Sequence, residues 1–179
     1  MEGPALRRAW TLLASMALAL AMTLSLSLPP AEALAFDQPP KILRQAEWKA
    51  LATINQLRAD RGLRPLRMAH RVRLAARARS RDMRQHDYLS HVSPTGRDAA
   101  ALLARRSIRY FAGSENIGRI HFVGWHRAAV VVAGAWFRSR GHRANLLSRD
   151  FNSVGIGAAR DGDVVYWTAI FLRQQGRRK

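Results

Sequence analysis

An apolar run from Ala9 to Leu28 opens the chain, with Arg7 and Arg8 before it and Pro29-Pro30 after it. Basic residues, an apolar stretch and then Ala33-Leu34-Ala35 form the pattern of an export leader, and the cut is placed after Ala35. The run is also long enough to serve as an uncleaved N-terminal membrane anchor, so both readings of residues 1–35 stand. Residues 36–45 contain Pro39-Pro40 and read as a linker. From Ala46 to Arg61, Trp48, Leu51, Ile54 and Leu57 share one arc, and Lys49, Thr53, Gln56 and Asp60 the other. That periodicity predicts an amphipathic helix, closed by Gly62. Asn55 falls inside the apolar arc. A buried amide must be hydrogen-bonded, so Asn55 is expected to tie this helix to backbone elsewhere.

A second helix is predicted from Met68 to His86, with Met68, Val72, Ala75, Ala76 and Met83 facing inward. Arg73, Arg77, Arg81 and Arg84 then line its outer face at helical spacing, either as a solvated surface or as a docking strip for an anionic polymer or lipid. Asp98 to Arg106 reads as a short helix, and Ala112 to Gly124 as a loop. A third clear helix runs from Ala128 to Ser139 and is ended by Gly141. Ser153–Arg160 and Val164–Leu172 flank Asp161-Gly162-Asp163, a hairpin signal. The second hairpin strand is apolar at both parities: Val165, Trp167, Ala169 and Phe171 alternate with Val164, Tyr166, Ile170 and Leu172. A strand apolar on both faces is covered on both faces. The expectation is an α+β fold, a single domain over residues 46–172 with helices on each side of a small sheet, followed by a basic tail from Arg173 to Lys179.

Composition narrows the function. The chain has 179 residues, 30 Lys+Arg against 12 Asp+Glu, and a net charge of +18. It has no cysteine, which excludes a disulfide scaffold, thiolate metal sites and a cysteine nucleophile. Export without disulfides fits a bacterial envelope better than a eukaryotic secretory route. Loss of residues 1–35 would remove two Arg and two Glu, so the mature part keeps the whole of the +18. A charge of that size draws a protein to anionic envelope polymers or lipid headgroups. Nucleic acid is a poor candidate, because the leader sends the chain away from it and no recognition helix or base-stacking motif is present.

No local hydrolase, phosphate-loop or dinucleotide motif occurs. Instead, four stretches follow in order: His91-Val92-Ser93-Pro94-Thr95-Gly96, then Ser114-Glu115-Asn116-Ile117, then Trp136 through Leu147 with Gly141-His142-Arg143-Ala144-Asn145, then Phe151 to Gly157. Asn55-Gln56-Leu57-Arg58 and Gly62-Leu63-Arg64-Pro65-Leu66 precede them. In this order and spacing the chain resembles the CAP superfamily (SCP-like; cysteine-rich secretory, antigen 5 and pathogenesis-related-1 domains), in its short, cysteine-free bacterial form. The resemblance runs from about Glu47 to Phe171. It implies an α–β–α sandwich around a mainly antiparallel sheet.

It also implies a cleft in which His91, Glu115 and His142 meet. Ser139 stands where many members carry a second acid, and Ser114 where a glycine is usual. Asn116 and Asn145 would support the cleft. Two imidazoles and a carboxylate are the smallest set that can hold one divalent ion, zinc first, with an open position for water. The missing second acid weakens that site and removes the obvious separate general base. Three readings of the trio stay open: a metal or small-ligand cleft, a hydrogen-bonded structural cluster, or a catalytic centre. For the whole chain the expectation is an exported, non-catalytic envelope or extracellular binding module, with small apolar molecules among its ligands. The alternative is a metal-dependent, protease-like hydrolase using the same cleft.

Overall fold

A computed structural model describes residues 41–175. The leader at 1–35, the cut after Ala35, the first half of the 36–45 segment and the end of the basic tail lie outside the described residues. In chain order the elements are α1 (Lys41–Ala59), β1 (Arg67–Met68), α2 (His70–Gln85), α3 (Ala99–Ala104), β2 (Ala112–His121), α4 (Trp125–Arg138), α5 (Arg140–Leu147), β3 (Ser153–Asp161) and β4 (Val164–Arg173). The four strands form one sheet in the order β1-β3-β4-β2. Only the short β1–β3 pairing is parallel.

The doubly apolar β4 sets the layers. Val165, Trp167, Ala169 and Phe171 pack with Ala50 and Ile54 of α1, Val132 and Trp136 of α4 and Leu146 of α5. Ile170 and Leu172 pack with Val72 and Ala76 of α2 and Leu103 of α3. The result is the α–β–α sandwich expected. Gly155 and Gly157 explain how closely α2 lies on the sheet. A Cβ at Gly157 would sit 2.2 Å from the Arg77 backbone nitrogen, and one at Gly155 would sit 2.2 Å from the Val72 carbonyl carbon. The Ser80 hydroxyl then bridges the Gly157 carbonyl (3.1 Å) and the Thr168 hydroxyl (2.9 Å) at the same contact.

Several local expectations hold. Gly62 takes φ +63° beyond α1, a backbone that favours glycine. The Asn55 amide donates to the Leu66 carbonyl (3.0 Å) and accepts from the Leu66 N–H (2.9 Å), which ties α1 to the turn after it.

Other expectations are corrected. Helix α1 begins at Lys41, so residues 41–45 are helix and not linker, and Leu43 is buried. Trp48 is 51% exposed, because Leu43, Ala46, Glu47, Ala50, Leu51, Ile54 and Arg58 form the buried arc instead. The loop expected over 112–124 is a ten-residue strand at positions 112–121. Gly113, Ser114, Asn116 and Gly118 are poor strand formers, yet β4 offers every one of them a ladder partner. Gly118 also leaves room for Trp136, whose indole N–H donates to the Ile117 carbonyl at 2.9 Å. The third helix does not end at Gly141. It breaks at extended Ser139 and resumes as α5. The predicted outer strip of arginines fails at Arg77, which is buried against Glu47, with Nε 2.7 Å from Oε1 and Nη2 2.5 Å from Oε2. Arg73 and Arg81 are half-buried, and Arg84 is exposed.

Candidate functional site

Strand β2 is an edge strand, and its consecutive side chains serve opposite faces. Glu115 pairs in register with Ile170, on the α2 and α3 side, and Asn116 pairs with Ala169, on the α4 and α5 side. The site therefore straddles this edge. Toward α2, Glu115 Oε2 lies 2.7 Å from His91 Nδ1, and its Oε1 lies 3.3 Å from Arg79 Nε. The Glu115 side chain is only 8% exposed, and Arg79 is buried. Arg79 also donates to the Tyr88 hydroxyl and the Ser90 carbonyl, and Tyr88 donates to Asp82. Burial and the Asp82 hydrogen bond push the Tyr88 phenol up to about 12, so it remains a donor at neutral pH. The Arg79 guanidinium thus fastens the segment carrying His91 to helix α2 and supplies the counter-charge for Glu115.

Toward α5, the fully buried Asn116 amide donates to the His142 carbonyl at 3.1 Å. Asn145 donates to Asn116 Oδ1 at 2.7 Å and approaches the Glu115 carbonyl at 3.5 Å. His142 joins this network through its backbone carbonyl. Burial, and next the neighbouring His91 imidazole, hold the His142 ring below the usual histidine range. A neutral imidazole follows at pH 7. Ser139 is half-buried in the break between α4 and α5, and its side chain makes no capping hydrogen bond there.

A cavity of about 220 Å³ opens beside His91 and Glu115. Its apolar wall comes from Ala99, Ala100 and Leu103 of α3, Tyr110, and Ile170 and Leu172 of β4. Neither His142 nor Ser139 lines it. Glu115 Oε1 is buried at this end with no well-aligned hydrogen bond, although Arg79 stands 3.3 Å away.

The donor set does not fit a divalent metal in this arrangement. Three donors must converge on one point. Among the described residues no group of three His, Asp or Glu side chains does so. Both Glu115 oxygens already face cationic or hydrogen-bonding partners, and the adjoining guanidinium opposes a second cation.

Arg79 was not foreseen. Its signal was present: it sits between Ala76 and Met83 at helical spacing from Val72, inside the apolar arc of α2. Glu47 and Arg58 occupy the same kind of position on α1. A charge inside an apolar arc requires a buried partner. Glu47 finds Arg77, and Arg58 donates to the carbonyls of Arg64, Leu146 and Ser148.

The family model described as CAP, the cysteine-rich secretory protein family, matches residues 51–171. The chain is 31% identical over 133 residues to the Bacillus subtilis (strain 168) protein YkwD, covering 74% of this chain and 49% of that one. It is 28% identical over 144 residues to the membrane protein YlbC of the same organism, covering 75% of this chain and 39% of that one. The chain thus spans half or less of the length of these relatives. Among solved structures, an extracellular SCP-domain protein from Bacillus anthracis is similar at TM-score 0.61 and 28% identity, over 76% of this chain and 44% of that one. NaASP2, crystallised with Zn²⁺, shares the fold at TM-score 0.56 and 14% identity, over 75% of this chain and 83% of that one.

Proposed function

Because the chain belongs to the cysteine-rich secretory protein (CAP) family, we propose that it is an exported, non-catalytic binding module of the cell envelope or extracellular space. The extracellular SCP-domain relative from Bacillus anthracis supports export. Among the described residues no helix is long and apolar enough to cross a membrane. On this reading the cleft takes a small molecule with an apolar body and one polar group. The observation that carries it is Glu115, held between Arg79 and His91 in a cavity that Asp98 and Ser114 also line and that Ala99, Ala100, Leu103, Ile170 and Leu172 make apolar on the other side. A carboxylate so engaged is well placed to recognise a hydroxyl or amide and poorly placed to act as a free general base. The basic surface, in turn, draws the module to anionic envelope polymers or lipid headgroups.

A metal-dependent hydrolase using the same cleft is the weaker reading, because its three donors are not gathered. Calorimetric titration with Zn²⁺ tests the metal site that the hydrolase needs, run on residues 36–179 beside the His91→Ala/His142→Ala double variant, and the small-ligand form of the binding module needs none. The small-ligand reading of the cleft expects negligible uptake by both. One equivalent taken up by the wild type and lost in the double variant would overturn it in favour of a metal site. An NMR titration with octan-1-ol, a simple probe with an apolar tail and a hydroxyl, should shift the amides of Ala99, Ala100, Gly113 and Ser114 first. Shifts spread evenly over the surface would count against the cleft.

A further inference from the structure

We propose that the turn from Arg105 to Phe111 is a docking surface for an anionic phospholipid bilayer, with Phe111 entering the headgroup region. This deepens the anionic-partner part of the function proposed above and does not depend on what fills the cleft. Phe111 is 65% exposed, the most exposed of the large apolar side chains described, and Tyr110 beside it is 38% exposed. A second cavity, of about 480 Å³, opens here among Ile108, Arg109, Tyr110, Phe111 and Gln175. Exposed Arg109 lines that cavity with the two rings, the exposed Arg173 guanidinium sits 5.8 Å from the Phe111 ring centroid, and exposed Arg105 begins the same turn. Exposed Arg71 donates to the Arg106 carbonyl and adds its charge to the same edge. The stretch from Ala99 to Ser114 contains no acid, and the sequence after Gln175 is Gly-Arg-Arg-Lys.

The turn is held in place before any partner arrives. The Phe111 N–H donates to the Arg173 carbonyl at 2.8 Å, and the Gln174 side-chain amide donates to the Arg109 carbonyl at 3.3 Å. Charge complementarity alone would serve a soluble polyanion equally well. The exposed rings favour a bilayer, because aromatic side chains ringed by cations suit the boundary between headgroups and acyl chains. A bilayer has an apolar interior that rewards an outward Phe111, and a soluble polyanion has none.

The test uses residues 36–179, which carry every described element. Binding is measured by co-sedimentation with vesicles of 30 mol% phosphatidylglycerol in phosphatidylcholine, and separately to soluble inorganic polyphosphate. Phe111→Ser should weaken vesicle binding about tenfold, the effect of withdrawing one partly buried aromatic ring, and leave polyphosphate binding unchanged. Arg109→Gln/Arg173→Gln should weaken both. Phe111 lies outside the cleft, so its octan-1-ol response serves as a folding and cleft control. The proposal is overturned if Phe111→Ser binds vesicles like wild type, or if wild type binds polyphosphate and not vesicles. It is equally overturned if sedimentation shows a wild-type dimer that Phe111→Ser dissolves, since the patch would then face a second copy. Vesicle binding that follows these expectations without an octan-1-ol response would sink the cleft reading and leave this one standing.

Discussion

Replacing Gly157 by alanine tests how the sheet and the site are joined. The added Cβ would lie 2.2 Å from the Arg77 nitrogen, 2.5 Å from the Ala76 carbonyl carbon and 2.6 Å from the Arg77 Cα. Ordinary contact starts near 3.4 Å, and all three atoms are helix backbone that no rotamer change can move. Helix α2 must therefore retreat by about 1 Å, and overpacking of this kind costs ~1–3 kcal/mol. The same retreat stretches the buried Arg77–Glu47 pair, the Ser80 bridge and the Arg79 contact with Glu115, all carried by α2. With those added, the expected loss is about 3 kcal/mol or more, a large share of a stability of roughly 5–15 kcal/mol. Urea unfolding followed by tryptophan fluorescence gives the free energy, and a thermal melt should fall by roughly 10 °C. Gly141→Ala is the control. It adds a Cβ with nothing within 4 Å, inside α5, and should be neutral or stabilising by up to about 1 kcal/mol. A Gly157→Ala protein losing less than about 1 kcal/mol would refute the reasoning, because the helix would then not rest on the strand backbone at all.

Three further outcomes follow from the site. His142 is held below the ordinary imidazole range by burial and by His91, so the fold binds fewer protons there than the unfolded chain does. Its contribution to stability is complete above the ordinary value of about 6.5. That contribution is lost as pH falls through the lowered one, so His142→Gln should flatten the acid side of a stability–pH profile. An unchanged slope would contradict this. Arg79→Met leaves the Glu115 carboxylate buried beside His91 alone and should cost ~3–5 kcal/mol in urea unfolding. Adding Glu115→Gln should recover much of that loss, and no recovery would mean that Arg79 acts through Tyr88 and Ser90 instead. Asn116→Ala should cost ~1–3 kcal/mol. A double-mutant cycle with Asn145→Ala should be non-additive by at least about 0.5 kcal/mol, and simple additivity would show that the two amides do not act together.

Much of this molecule could be read from residue order. The two-faced strand ending at Leu172 announced helices on both sides, and Asp161-Gly162-Asp163 announced the hairpin. Gly62 marked the end of α1, and Asn55 announced its own need for a partner. These features depend on side-chain periodicity and turn chemistry, which a stretch of chain carries within itself. His91, Glu115 and His142 were singled out differently, through the resemblance their flanking motifs carry, and of the three only His91 and Glu115 line the cavity.

Tertiary structure decided the rest. Residues 112–121 form a strand despite Gly113, Ser114, Asn116 and Gly118, because β4 provides a complete ladder from the other end of the chain. Arg77 turned from an expected surface residue into the buried partner of Glu47, thirty positions earlier. Arg79, on the apolar arc of α2, is the counter-charge of Glu115, while Ser139 stands aside in a helix break. Periodicity can show that a charged residue falls on an apolar arc. It cannot show which distant residue neutralises it, because that depends on how helices are laid across the sheet, and here two glycines of β3 determine how close α2 can come.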